Sequence, residues 1–160
     1  MAECDDLSLR ARLFDYFRRR LESDSVYLFN YEVSGKETNL VRSLTELTDQ
    51  PRFKNLELTG KYRAIAIFVY GLEKFNVDER EQFVKLLNFL RDRLSTIAYP
   101  IVIWGTSAQV SQLARNAPDF WSWKGNFFSF HASEPLSSLV DPGPVPSLSQ
   151  SEVSALIRYL

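Results

Sequence analysis

Glu73 stands three residues past Tyr70, which ends the apolar run AIAIFVY (64–70). Phosphoryl-transfer sites pair a strand-end aspartate that holds magnesium with a nearby group that orients water. Tyr70 cannot take the aspartate's part, because its phenol is neutral at pH 7. Glu73 occupies the place of a water-orienting acid, yet without a metal or a triphosphate it has nothing to act on. The bland reading is a surface glutamate at the start of a loop. A phosphate cradle of the form GxxxxGK[ST] is absent. SGKE (34–37) and TGKY (59–62) lack both the upstream glycine and the hydroxyl after lysine, and read as ordinary loops.

Nucleophilic chemistry has equally little to work with. His131 and Cys4 are the single histidine and cysteine, at opposite ends of the chain. They read as an exposed or capping histidine and a bystander thiol. GTSAQ (105–109) is not the GxSxG of a nucleophile elbow. Asp49, Asp78, Asp92, Asp119 and Asp141 are scattered, and no cluster has metal-ligand spacing. No catalytic or metal residue is therefore expected. FWSW (120–123) places three rings within four residues. They either plug one end of a sheet or anchor a base or a partner.

Composition narrows the class. The chain has 160 residues, enough for one domain with a sizeable core, and 45% are hydrophobic. Net charge is −1, which points to neither nucleic acid nor a membrane surface as partner. One cysteine rules out an internal disulfide and suits a reducing cytoplasm. The polar, acidic start MAECDDLSLR has no signal-peptide core, and no apolar run approaches the ~20 residues of a membrane span. Aromatics make up 14% of the chain, which suits a core or a contact surface built of rings.

The elements that must position these residues follow from periodicity. Residues 7–22 read as an amphipathic helix with Leu9, Leu13, Phe14, Phe17 and Leu21 inside, capped by Asp5 or Asp6. VYLFNYEVS (26–34) reads as a strand. A helix over 37–49 is stopped by Pro51, and 52–61 reads as a polar loop. The run 62–70 is a strand covered on both faces. Asn76 and Glu79 form a capping box that opens a long helix reaching Tyr99-Pro100. IVIWG (101–105) is the next buried strand, and Thr106 or Ser107 caps the helix after it. APDFWSW (117–123) reads as a turn carrying rings, followed by a short strand over 126–130. The expected organisation is an α/β domain over 1–133, a Ser/Pro-rich linker over 134–148 and a helix over 149–160. That last helix carries a capping box, Ser149 and Glu152, and an apolar face of Val153, Leu156, Ile157 and Leu160. The face is expected to be uncovered and to serve a partner. Helices alternating with strands imply a three-layer αβα sandwich with a mainly parallel sheet of about four to five strands, and ligands at the C-terminal strand ends.

These pieces resemble a known family. AIFVYGLEKF (66–75) resembles the Walker B segment of STAND-type NTPases, the signal-transducing branch related to AAA+ ATPases. LLNFLRDRLSTIAYPIVIWGTSAQVSQLARNAPDFWSW (86–123) resembles the stretch after it, in which an N-x-x-R-D-x-L helix leads to a sensor strand and then to an A-P-D-F-W-S-W motif. Asn88, Arg91, Asp92, Leu94, Trp104 and the string Ala117 to Trp123 carry that likeness, which extends from about Ile65 to Phe130. A STAND core opens with a strand and a P-loop, whereas this chain is expected to begin at the first helix, with the central strand position unfilled. The family also has an acid where Tyr70 stands. The pattern resembles the inactive STAND-like domains of bacterial signalling and conflict proteins.

The resemblance implies a degenerate P-loop NTPase-like fold without a cofactor, acting in the cytoplasm as a non-hydrolysing module for protein interaction or signal sensing. Its partner would be a protein or an adjoining domain, and a homo-oligomer is left open. Tyr70, Gly71 and Glu73 become a degenerate Walker B tip. Trp104 and Thr106 become the end of the sensor strand. Asp119, Phe120, Trp121 and Trp123 become contact residues, beside the face of the last helix. Two alternatives stand against this: part of an active ATPase, using ATP and magnesium, whose P-loop lies outside the chain, and a sensor of a small ligand such as a nucleotide.

Overall fold

The computed structural model describes residues 1–35, 37–131 and 150–159. In chain order its elements are β1 (Ala2–Glu3), α1 (Leu7–Ser23), β2 (Val26–Glu32), α2 (Leu40–Asp49), α3 (Pro51–Leu58), β3 (Ala64–Tyr70), a 3₁₀ turn (Leu72–Lys74), α4 (Val77–Phe89), α5 (Arg91–Leu94), β4 (Ile101–Gly105), α6 (Ser107–Asn116), α7 (Pro118–Trp123), β5 (Phe128–Ser129) and α8 (Gln150–Tyr159). The strands form one five-stranded, all-parallel sheet in the order β2-β3-β4-β1-β5. Helices cover both faces, giving a three-layer αβα sandwich.

The alternation of β3 explains the two cores. Ile65, Ile67 and Val69 point to one face and join Leu44, Phe53, Phe83, Leu87, Val110 and Phe120. Ala66 and Phe68 point to the other and meet Leu13, Phe17, Leu21, Trp104, Phe130 and Leu156. A strand buried on both sides has no polar alternation to show, which is why it reads as a continuous apolar run. The second core has an aromatic centre. Trp104 stacks on Phe130 at 5.4 Å and 21°, and Phe14, Phe17 and Phe68 approach it at 5.1–6.3 Å with tilted or edge-on rings.

Several expectations are corrected. The chain does not begin at its first helix. Ala2 and Glu3 pair with Trp104 and Gly105 of β4 on one side and with Phe128 and Ser129 of β5 on the other, so the interior strand position is filled. Ala2 is fully buried there. A two-residue strand is too short to show any periodicity. Residues 52–61 are not simply a loop: Pro51 ends α2 and opens α3 at its first turn, where its missing N–H costs nothing. One ring anchors α3, because Phe53 packs on Phe29 and Tyr99 at 5.5 and 5.0 Å. APDFWSW is a helix rather than a turn. The long helix after Asn76 breaks at Leu90.

The face of the last helix is also corrected. Leu156 is completely buried and belongs to the aromatic core, and Ile157 packs partly against it. The helix therefore closes the domain beside β5 instead of presenting an empty stripe. The side chains of Val153 and Glu152, with Ser149, Leu160 and the expected linker, lie outside the described residues. Leu156→Ala should lower the unfolding free energy by about 2–5 kcal/mol, the range for a buried leucine. Urea denaturation followed by far-UV circular dichroism measures this, and a loss below about 0.5 kcal/mol would mean that α8 does not dock.

Candidate functional site

The C-terminal ends of β1, β3 and β4 meet above the first turn of α1, the place where such sheets hold ligands. Cys4, Asp5 and Asp6 are the whole connection from β1 to α1. Asp6 caps α1: its Oδ1 accepts the backbone N–H groups of Ser8 and Leu9 at 2.8 and 3.0 Å. Of the two aspartates open to that role, it is the one that fills it. Asp5 turns the other way and caps α6. It accepts the backbone N–H of Ser107 at 2.7 Å and the Ser107 hydroxyl at 2.7 Å. These bonds, the backbone one first, hold the Asp5 carboxyl below its ordinary range. Cys4 is fully buried, donates weakly to the Asp6 carbonyl, and burial pushes its thiol up to about 11. Such a thiol is no nucleophile.

Glu73 is not free to orient water. Arg10, on the second turn of α1, grips it with both terminal nitrogens, one at 3.3 Å and the other closer still. The Arg10 side chain is 7% exposed and that of Glu73 23%. Burial alone would raise the Glu73 carboxyl; the hydrogen bond and charge of Arg10 overcome it, and the net shift is downward. Gly71 makes the geometry reachable. Its φ is +96°, and a Cβ there would lie 3.1 Å from the Val33 carbonyl and from the Glu32 side chain. Only glycine turns the chain out of β3 at this point without strain. Tyr70 lies edge-on to Phe14 at 5.3 Å, and burial, followed by the charge of Glu32, raises its phenol. It stays neutral and offers no metal ligand.

The other expected positions are structural. Trp104 is wholly buried, which removes it as a contact residue. Thr106 caps α6 in a reciprocal box with Gln109. Asn88 links the two halves of the motif read from the sequence. Its amide donates to Asp119 at 3.2 Å, and its carbonyl oxygen accepts the Phe120 N–H at 3.0 Å, so α4 caps the first turn of α7. Arg91 stands 3.8 Å from the same Asp119 carboxylate. Phe120 is buried, Trp121 is half-buried under Lys124, and Trp123 remains 43% exposed. The FWSW rings thus divide, with Phe120 plugging the sheet end and Trp123 left on the surface.

Ser129 Oγ lies 2.7 Å from His131 Nε2 and 3.1 Å from Glu3 Oε1. Glu3 is on the serine side of the ring and does not brace its far nitrogen, so this is no catalytic triad. Among the described residues no group of three or more His, Cys, Asp or Glu side chains could hold a metal ion, and no helix is long and apolar enough to cross a membrane. No family model, curated protein or solved structure matches this chain.

The sequence reading missed Arg10 and the bridging part of Asp5. Arg10 had a signal: with Phe14, Phe17 and Leu21 it falls along one edge of the apolar stripe, where an arginine needs a buried partner. Arg10→Met should cost about 3 kcal/mol, the lower end for breaking a buried pair, because Glu73 is left desolvated and unmatched. Arg10→Met combined with Glu73→Leu should recover most of that loss in a double-mutant cycle by urea denaturation. Because the Glu73 carboxyl is depressed in the folded state, the wild type should hold the pair's stabilisation above the ordinary value of 4.5 and lose it as pH falls below. Glu73→Gln should flatten that acid limb.

Proposed function

We propose that this chain is a non-hydrolysing, NTPase-like module for protein interaction or signal sensing, of the kind that works in the cytoplasm within bacterial signalling or defence systems. The observation that carries the reading is the connection from β1 to α1. A phosphate loop needs eight or so residues and leaves the helix N-terminus open to an anion. Here Cys4, Asp5 and Asp6 span the same step, and the Asp6 carboxylate already occupies the amides of α1.

The surrounding electrostatics support the same conclusion. A triphosphate would meet Asp5, Asp6 and Glu73, while Arg10 is held by Glu73 and Lys74 pairs with Glu32. The acids at this end are satisfied from within the chain. Against the alternative of an ATPase completed from elsewhere stands β1 itself. An outside P-loop strand would have to displace Ala2–Glu3 from its place between β4 and β5. The business of the fold is then with proteins, and Trp123 is the exposed ring of FWSW that suits an anchor.

Titration calorimetry with ATP tests this. No binding tighter than about 1 mM is expected, with or without magnesium. Micromolar binding that strengthens with magnesium would overturn the reading and make Glu73 the first residue to substitute.

A further inference from the structure

A cavity of about 300 Å³ opens at the opposite end of the sheet, beneath the start of β4. Leu94, Ile101, Ile103 and Phe120 form its apolar walls, and Trp123 and Lys124 stand at its mouth. Among the described residues no carboxylate lines it, and its two basic groups are the Lys124 side chain and the Met1 α-amino group, which donates to the Asn126 carbonyl at 2.7 Å and which burial, followed by the charge of Lys124, lowers to about 5. Lys124 makes no ion pair with any described residue. Its ammonium is steered by rings instead: it lies 4.1 Å from the centre of Trp121 and 5.9 Å from that of Phe127. Those contacts leave the charge of Lys124 un-neutralised.

We propose that this cavity binds a small apolar monocarboxylate, an aryl or branched alkyl acid whose body fills the apolar walls and whose carboxylate meets Lys124. Size and charge both select that class. A dry cavity of about 150 Å³ holds benzene, so this one takes a body of roughly ten to fourteen heavy atoms. With the Met1 amine lowered to about 5, Lys124 presents one positive charge at pH 7 and matches one negative charge. A phosphate or a polycarboxylate would bring further negative charge that no second cationic side chain in the lining matches. A neutral apolar ligand would forgo the charge-assisted bond. The site lies at the start of β1 and shares no lining residue with the β1–α1 connection, so the two readings are tested separately.

The test uses 4-phenylbutyrate and its neutral amide, titrated calorimetrically into the whole chain. The acid should bind with a Kd on the order of 100 μM, and the amide about tenfold more weakly. Lys124→Met should weaken the acid by the same factor and leave the amide unchanged. Ile101→Phe, which fills the cavity, should abolish binding of both, with urea denaturation checking that each variant folds. Two results overturn the proposal: no binding of either compound at about 5 mM, or binding of the acid that Lys124→Met does not weaken.

Discussion

A two-residue strand holds the architecture together. β1 contributes little surface, yet among the described residues it is the piece that joins β4 to β5 in the sheet. Its bonds are few: the Cys4 N–H reaches the Gly105 carbonyl at 3.0 Å, and the Phe128 and Phe130 N–H groups reach Met1 and Glu3 at 3.0 and 2.9 Å. These pairings bring Trp104 of β4 and Phe130, just past β5, onto one core face, where they stack. They also fix where α1 begins, and so where Arg10 and the two aspartates fall.

From that constraint the ligand end of the sheet follows. With so short a step from β1 to α1, the Asp5 and Asp6 carboxylates reach the starts of α6 and α1, and Arg10 is carried over the tip of β3. Asp5, Asp6, Arg10 and Glu73 are each matched by another part of the same chain. Buried pairs of this kind add little net stability compared with apolar packing, but they are costly to break singly. They specify one arrangement of three strand ends and two helices, which suits a module that presents a fixed shape more than one that cycles with a bound nucleotide.

Much of the fold was legible because its strands and caps obey local rules. The runs ending at Tyr70 and Gly105 declared buried parallel strands, and Asn76 with Glu79 declared a helix start. What was hidden depended on distant partners. β1 has no pattern of its own and exists only because β4 and β5 leave a slot. α3 rests on the single ring of Phe53 instead of a stripe. Leu156 looked unpartnered because its partners come from α1 and the sheet, more than a hundred residues earlier in some cases. The candidate site was legible as a list of acids near strand ends. Which acid meets which amide or guanidinium was not, since no spacing rule connects Asp5 to Ser107 or Arg10 to Glu73.

The slot filled by β1 also sets how this protein fails. A strand at the rim of a sheet exposes one edge when it frays; an interior strand exposes two. If Ala2–Glu3 lifts out, β4 and β5 both show unpaired backbone, and the aromatic core loses the floor beneath Trp104. Parallel edges flanked by rings are templates for pairing with another chain. A strand of two residues thus also serves as a guard against self-association.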